Sequence, residues 1–308
     1  MPLRLCACVA VALFASLPCR AEEKYAILFR APDVGEPIRV EKEETLTTRM
    51  VVHDGLGRKV ADRQEKQVES FTYNETLLEK TREGGIGKLR RQYEKAQLKV
   101  DKSTRPYAFE KRIVYIRSEG RKFRFFYEAD LPLAAADTAP LDREFNGGDE
   151  KFLLTNLLPS KPVPVGADWT FDMGPPIKDF VRTGRFAVDR AWATGSGHLT
   201  KTTPTGGAQY GQIHLRMDMP IVAMAMTGKD RIPVLSGSRA TFELSMDLCI
   251  DGSLPNATFI GTSEVKASGD MPQPGGLPNR VTYQQKCDSR DVRKLDKPEA
   301  TTPTKPGS

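Results

Sequence analysis

The side chains suited to acid–base chemistry are few, because this chain of 308 residues contains only three histidines, His53, His198 and His214. None belongs to the H-E-x-x-H pattern that places two zinc ligands on one helix face, and no serine sits in a G-x-S-x-G turn. A Ser–His–Asp triad can also be assembled from residues that are distant in sequence. The sequence therefore names no catalytic residue. It leaves a hydrolase as an alternative, in which one of these histidines would lie in a pocket within hydrogen-bond reach of a serine or a carboxylate.

Methionine gives the nearest approach to a metal-binding pattern. Four of the nine methionines lie within ten residues, at Met217, Met219, Met224 and Met226. Thioether sulfurs are soft ligands that favour Cu(I). However, a strand-like alternation puts His214 on the opposite face from Met217 and Met219, and Pro220 interrupts the strand. We therefore expect these methionines to fill an apolar core, and the sequence predicts no cofactor.

The first 21 residues have the parts of a secretory signal peptide. Arg4 supplies the positive charge at the start, and a run of 13 apolar and small residues extends from Leu5 to Leu17. Pro18 ends this run, and Cys19-Arg20-Ala21 offers small residues at the two positions that matter for cleavage. The run is too short to cross a bilayer core of ~30 Å as a helix, and no later run approaches ~18 residues. We predict a periplasmic or secreted protein with no transmembrane segment after cleavage.

Two of the five cysteines lie outside this signal, at Cys249 and Cys287. An even pair in an exported chain favours a disulfide. Closing this loop of 38 residues would contribute ~4 kcal/mol in the chain-entropy model. Cys249 falls on the polar side of its alternating pattern, so the predicted bond lies outside the core.

A basic stretch runs from Lys88 to Arg124, with 13 Lys or Arg against four acidic residues. Outside the cytoplasm, anionic lipid head groups or acidic polysaccharides are better partners for such a stretch than nucleic acid. The alternative is that these charges protect the edges of a sheet from aggregation. The candidate basic surface comprises Lys88, Arg90, Arg91, Lys95, Lys99, Arg121, Lys122 and Arg124.

The elements that must position these residues are strands. Residues 241–250 and 213–219 alternate apolar and polar side chains with a period of two, which is typical of strands with one buried face. Asp149 begins a short helix pattern that Pro159 ends. We predict a mainly β protein of antiparallel sheets, as one curved sheet or an incomplete barrel, with a short helix between two β-rich halves. The boundaries are 1–21 for the signal peptide, 22–135 for the N-terminal β-rich region, 136–166 for the helix and Pro-rich connector, 167–290 for the C-terminal β-rich region and 291–308 for a disordered tail.

The segment from Leu157 to Trp169 (LLPSKPVPVGADW) resembles a passage in uncharacterised exported bacterial β-rich proteins. In those proteins a Leu-Leu-Pro … Val-x-Val-Gly-x-x-Trp segment introduces the C-terminal β region. The resemblance implies a junction at which Gly166 turns the chain and Trp169 anchors the next strand. It implies no activity and no site residues.

The pattern as a whole indicates an exported, non-enzymatic module that binds an amphiphilic or anionic partner, and a deep apolar cavity would favour a lipid-type ligand. A hydrolase and a purely structural or interaction protein are the alternatives. The sequence does not indicate the oligomeric state, the envelope type or whether Asn74 and Asn256 are glycosylated.

Overall fold

The computed structural model describes residues 23–120, 122–147, 154–182, 184–225 and 231–296. The predicted signal peptide, Arg121, the proposed helix start at Asp149, and Met226 lie outside the described residues. So does the part of the predicted tail from residue 297 onward.

Long strands dominate the described chain. The strands are β1 (Lys24–Tyr25), β2 (Pro37–His53), β3 (Lys59–Lys80), β4 (Ile86–Val100), β5 (Ser103–Pro106), β6 (Ile113–Glu119), β7 (Lys122–Phe126), β8 (Val163–Pro164), β9 (Asp168–Thr170), β10 (Phe186–Val188), β11 (Thr194–Thr205), β12 (Ala208–Ala225), β13 (Arg231–Pro233), β14 (Arg239–Cys249), β15 (Ala257–Met271) and β16 (Asn279–Leu295). The helices are α1 (Ala139–Leu141), which continues into a π-helical turn at Asp142–Asn146, and α2 (Gly174–Val181); short 3-10 turns occur at Glu128–Asp130, Ala135–Asp137 and Leu154–Leu157.

Fourteen strands form one antiparallel sheet that does not close into a barrel. Its main order is β7-β6-β4-β3-β2-β16-β15-β14-β12-β11-β9, with β5, β10 and β13 attached to the side, while β1 and β8 form a separate pair. The predicted fold class is therefore confirmed. The two β-rich halves are joined directly, because β16 pairs with β2 along sixteen register positions from Arg280–His53 to Leu295–Ile38.

One face of this sheet, which we call the inner face, carries three apolar clusters. The N-terminal cluster includes Val40, Tyr73 and Tyr93 and is covered by the helical segment 139–146. The second cluster includes Met219 and Val281 and is covered by α2. The third gathers Leu199, Ile213, Leu215 and Leu248 beneath the chain around Ile27 and Leu157. The strand alternation accounts for this arrangement, because successive side chains point to opposite faces.

The junction segment predicted from the sequence is closed by a hydrogen bond between its two ends. Trp169 Nε1 donates to the carbonyl oxygen of Leu157 at 2.9 Å. Gly166 has a φ of +88°, which makes the turn that the sequence predicts there. Across the sheet, the indole packs over Gly197, where an added Cβ would lie 2.2 Å from the ring. Glycine at 197 is therefore required by the close approach of the ring.

The predicted tail boundary at residue 291 is wrong for its first five residues. Strand β16 continues to Leu295 and pairs with β2 on one side, and with β15 as far as Arg293 on the other. The charged pattern of residues 291–295 hides one buried residue, Val292, which is 8% exposed. Backbone pairing with two neighbouring strands orders this polar segment, although it contains little apolar surface.

Candidate functional site: a charged pocket on the inner face

A pocket of about 220 Å³ lies on the inner face, where the helical segment 139–146 covers β2, β3 and β4. Its walls combine charged and aromatic side chains: Lys42, Glu44, Glu69, Phe71, Tyr73, Arg91, Tyr93, Pro140, Leu141, Arg143 and Glu144. We call it the inner pocket. Because ligand sites for drug-sized molecules are usually ~300–1,000 Å³, it has room for a head group and not for a whole lipid. The deep apolar cavity expected for a lipid-type ligand is not found at this site.

Arg91 is the centre of the inner pocket's electrostatics, and its side chain is only 4% exposed. Its Nε donates to Glu75 Oε2 at 2.8 Å, and its two terminal nitrogens donate to the two oxygens of Glu144 at 2.7 and 3.0 Å. The guanidinium lies 4.4 Å from the ring centre of Tyr73 and 4.7 Å from that of Phe145. The bidentate pair with Glu144 ties the helical segment to the sheet.

The burial of these groups changes their ionisation. Burial by itself would raise the pKa of Glu144, but the charge and hydrogen bonds of Arg91 outweigh it and lower that pKa to about 2. Burial raises the pKa of Tyr93 to about 12, despite the nearby guanidinium of Arg91. At neutral pH the inner pocket therefore holds a carboxylate, a guanidinium and a neutral phenol.

A second ion pair closes another wall of the inner pocket. Arg143 Nη2 donates to Glu69 Oε1 at 2.9 Å, and the hydroxyl of Tyr107 donates to the same oxygen at 2.6 Å. Lys42 is the remaining cation of the pocket, and no ion pair within 4.0 Å involves it among the described residues. The pocket thus keeps one cation that is not neutralised by a direct partner.

Beyond the inner pocket, a row of side chains on the inner face is only half-buried. Strand register places them side by side on five successive strands, in the order Leu46, Cys287, Ser263, Phe242 and Met217. All five have intermediate exposure. We call them the apolar row. It begins two residues beyond Glu44 on the same face of β2, which is ~7 Å from the pocket.

The structure places the predicted basic residues on both faces of the sheet. Lys88, Arg90, Lys95 and Lys99 lie on the outer face of β4, and Lys122 and Arg124 lie on the outer face of β7. Lys88, Arg117 and Arg124 are neighbours in one register row, so part of the predicted surface is continuous. Arg91 is the exception. Its assignment to the basic surface is wrong, because strand alternation turns it inward and two glutamates neutralise it.

The described methionines of the predicted metal cluster belong to the second apolar cluster. Met219 and Met224 are each 1% exposed, and Met217, in the apolar row, packs against the same cluster. Phe186 and Ile232 lie opposite Met224 on the two strands beside it. Their surroundings are those of core side chains. Within the described residues, no group of three or more His, Cys, Asp or Glu side chains is arranged to hold a metal ion.

The predicted disulfide between Cys249 and Cys287 is not formed, and both thiols are free. Cys287 lies opposite Ser263, which in turn lies opposite Phe242, seven residues before Cys249 on β14. At ~3.3 Å per residue this offset is ~23 Å, far beyond the reach of a disulfide. Cys249 is also buried, at 2% exposure, where the alternation predicted a position outside the core. Its sulfur accepts the backbone N–H of Leu254 as the strand ends.

Two of the three histidines lie next to each other on the outer face. His198 and His214 are directly opposite on β11 and β12, with Asp168 opposite His198 and Ser245 opposite His214. Nδ1 of His198 is 2.8 Å from Asp168 Oδ1, and Nδ1 of His214 is 3.3 Å from Ser245 Oγ. We call these four residues the histidine row. Each imidazole therefore has the contact that the hydrolase alternative requires, although neither histidine lines the inner pocket. The carboxylate and the serine contact different imidazoles, so the row is not a Ser–His–Asp relay. His53 lies apart at the end of β2.

The sequence patterns do not indicate most of the residues that line the inner pocket. Lys42 and Glu44 lie in a charged stretch that reads as a solvated strand, and Glu144 lies in the connector. The sequence indicates only Arg91, which lies two residues from both Leu89 and Tyr93 on the strand and therefore shares their buried face.

Asn256, one of the two glycosylation candidates, hydrogen-bonds to Tyr210 and to the N–H of Leu295. No helix among the described residues is both long and apolar enough to cross a membrane.

No protein-family model matches the sequence, and no curated protein matches it significantly. Among solved structures, lipovitellin aligns at 6% identity with a TM-score of 0.34, covering 86% of this chain and 26% of that chain. An outer membrane channel from Pseudomonas putida F1 aligns at 12% identity with a TM-score of 0.17, covering 85% and 97%. A Pseudomonas aeruginosa FadL homologue aligns at 6% identity with a TM-score of 0.18, covering 85% and 90%. This chain thus spans about a quarter of the length of lipovitellin. Likenesses this low do not establish a shared fold.

Proposed function

We propose that the protein binds an amphiphilic molecule with an anionic group on the inner face of its sheet. The anionic group would contact Lys42 at the inner pocket, and the apolar part would lie along the apolar row. The observation that carries this proposal is the unneutralised Lys42 beside aromatic walls, next to a half-buried apolar surface.

The preference for an anion that we propose rests on Lys42 alone, because the inner pocket is lined by three cations and three carboxylates. Arg91 is neutralised by Glu75 and Glu144, and Arg143 by Glu69. Glu44 faces the thiol of Cys287, whose pKa is raised to about 12 by burial and by that carboxylate. Lys42 is therefore the cation available to a ligand. Hydrogen bonds to a charged group contribute ~1.5–3 kcal/mol when water is excluded.

The geometry of the inner face supports an elongated apolar part. Lys42 and Leu46 point to the same face of β2, and from Lys42 to Met50 this face is half-buried at every inward position. This path is ~26 Å long at ~3.3 Å per residue, since eight residues separate its ends. From Leu46 the apolar row turns across the sheet to Met217, four strand spacings or ~19 Å away. Phe242 and Met217 would offer apolar contact there, while Ser263 interrupts that surface. The small pocket volume is consistent with this arrangement, because only the head group needs to be enclosed.

We propose a periplasmic or secreted location for the protein and its ligand, because the first 21 residues have the pattern of a signal peptide. Cell fractionation followed by mass measurement of the purified chain tests this. We expect a chain that lacks residues 1–21. A cytoplasmic chain that retains Met1–Ala21 would contradict it.

Binding of two single-chain lipids with the same acyl chain, one with an anionic phosphate and one without it, tests the proposed function. We expect 1-palmitoyl-lysophosphatidylglycerol, which carries an anionic phosphate, to bind more tightly than 1-palmitoylglycerol, which has the same acyl chain and no charge, in titrations below the concentrations at which they aggregate. Lys42→Gln should weaken binding of the anionic lipid about tenfold, because one charge-assisted hydrogen bond is lost. It should leave binding of the uncharged 1-palmitoylglycerol nearly unaffected.

The matched control is Lys95→Gln, which removes a cation from the outer face of β4. This variant should bind both lipids as the unaltered protein does. Equal binding of the two lipids, or a loss in Lys95→Gln that matches Lys42→Gln, would refute the inner-face site. The second result would favour the basic outer surface instead.

A further inference from the structure

We propose that His198 and His214 form a binding site for a divalent transition-metal ion on the outer face of the sheet. The two residues are direct cross-strand neighbours on β11 and β12. Side chains in such positions have Cβ atoms ~4.5–5.5 Å apart. Two imidazoles at that separation can contact one ion between their outer nitrogens, with water completing its coordination.

The hydrogen bonds of the histidine row leave the correct nitrogens available. Asp168 engages Nδ1 of His198, and Ser245 lies at Nδ1 of His214. Neither Nε2 atom has a hydrogen-bond partner among the described residues. When Nδ1 carries the proton and donates it, Nε2 presents a lone pair. Both histidines can therefore offer Nε2 to the same ion.

Asp168 is positioned to orient the imidazole of His198. A carboxylate that accepts the Nδ1 proton of a metal-bound histidine fixes its tautomer and makes it a better ligand. The 2.8 Å contact between Asp168 and His198 has this form. Ser245 supplies a weaker version of the same support to His214 at 3.3 Å.

The surroundings of the row allow an ion to reach it. The side chain of His198 is 37% exposed and that of Asp168 is 81% exposed. The nearest cation along β12 on the same face is Arg216, which pairs with Glu243 at 4.0 Å. Imidazole ligands suit Zn²⁺, Cu²⁺ and Ni²⁺, and Cu²⁺ binds most strongly in this series. We therefore assign the site to this group of ions rather than to Ca²⁺ or Mg²⁺, which prefer oxygen ligands.

The test is titration of the untagged protein with Cu²⁺ alone, followed by electron paramagnetic resonance, and with Zn²⁺ alone by calorimetry. We expect one equivalent of Cu²⁺ with hyperfine structure from two imidazole nitrogens. His198→Gln and His214→Gln should each abolish the two-nitrogen signal. Asp168→Asn should weaken affinity about tenfold or more, in line with the loss of an orienting carboxylate.

His53→Gln is the matched control, because His53 lies outside the row. It should bind both ions as the unaltered protein does, and circular dichroism should show that every variant is folded. Retention of the two-nitrogen signal in the double variant His198→Gln/His214→Gln would overturn the proposal. So would its loss in His53→Gln, or the absence of any binding by the folded unaltered protein.

Discussion

At the scale of single residues, Arg91 shows how a charged side chain becomes part of a core. It is placed inward by the alternation of β4, and it is tolerated there because Glu75, Glu144 and two aromatic rings surround it. A buried pair adds little net stability compared with an apolar replacement of both partners, but removing one partner leaves an uncompensated charge. Removing one member of this network should therefore lower the free energy of unfolding substantially.

Replacing Arg91 by Met should therefore lower the free energy of unfolding by about 3 kcal/mol, at the low end for buried pairs because Glu144 is partly exposed. Arg90→Met is the control, since Arg90 is the neighbouring residue on the outer face. It should cost about 0.5 kcal/mol or less. Urea denaturation measures both, and equal effects would show that Arg91 does not hold the network.

The lowered pKa of Glu144 predicts a specific loss of stability in acid. Its contribution is fully present above the ordinary pKa of 4.5 and is lost as the pH falls towards about 2. Glu144→Gln should therefore be less stable than the unaltered protein at pH 7, and this difference should shrink as the pH is lowered from 5 to 3. Urea midpoints across that range measure it. A difference that stays constant with pH would contradict the pairing with Arg91.

The sequence alone could have supplied part of this network. Alternation in β4 puts Arg91 on the side of Leu89 and Tyr93, and that signal was available. Its partner Glu144 comes from the helical segment 53 residues further along the chain. No local pattern indicates that this segment folds back over the sheet, so the charge at 91 was assigned to the surface with its neighbours.

At the scale of elements, β16 joins the two halves of the protein. It pairs with β2 from the N-terminal half and with β15 from the C-terminal half. The period of two predicts individual strands such as β12 and β14 well, because their apolar face is clear. The long polar strands β2, β3 and β16 are harder to predict from the sequence, since their central parts face an inner surface that is only half-buried. For this reason the polar composition predicts a disordered tail from residue 291, where β16 in fact continues.

Truncation tests the role of the last strand. Ending the chain after Arg290 removes five residues of β16, including buried Val292, and should lower the Tm by about 5 °C or more. Ending it after Asp296 removes none of the described pairing and should leave the Tm unchanged. Equal Tm values for the two truncated chains would show that residues 291–295 contribute nothing to the sheet.

At the scale of the whole molecule, strand register decides which distant residues meet. Sequence separation and compartment both favoured a Cys249–Cys287 bond, but the sheet places these residues on β14 and β16 with β15 between them. Register across a large sheet is the sum of many strand offsets, and it is not encoded in any one strand. The same property brings Asp168, His198, His214 and Ser245 into one row, which their sequence positions do not indicate.

Thiol counting tests this placement. The chain without residues 1–21 should show two free thiols in denaturant without a reductant. In the native protein, Cys287 should react slowly, because burial raises its pKa to about 12 and little thiolate is present at neutral pH. A count of zero thiols before reduction and two after it would contradict the register of the sheet.

Cys287 is a native reporter for the anionic amphiphile that we propose on the inner face. It lies in the apolar row between Leu46 and Ser263, ~13 Å along the strand from the level of Lys42. The control position is Ile260, which is 53% exposed on the outer face. The reporter protein is Cys249→Ser, and the control protein is Cys249→Ser/Cys287→Ser/Ile260→Cys.

The most direct measurement is the rate of maleimide labelling of these two proteins with and without saturating 1-palmitoyl-lysophosphatidylglycerol. We predict that the lipid slows labelling at Cys287 about fivefold or more, in proportion to the bound fraction, and leaves labelling at position 260 unchanged. An unchanged rate at Cys287 under saturating lipid, or equal protection at both positions, would contradict binding on the inner face.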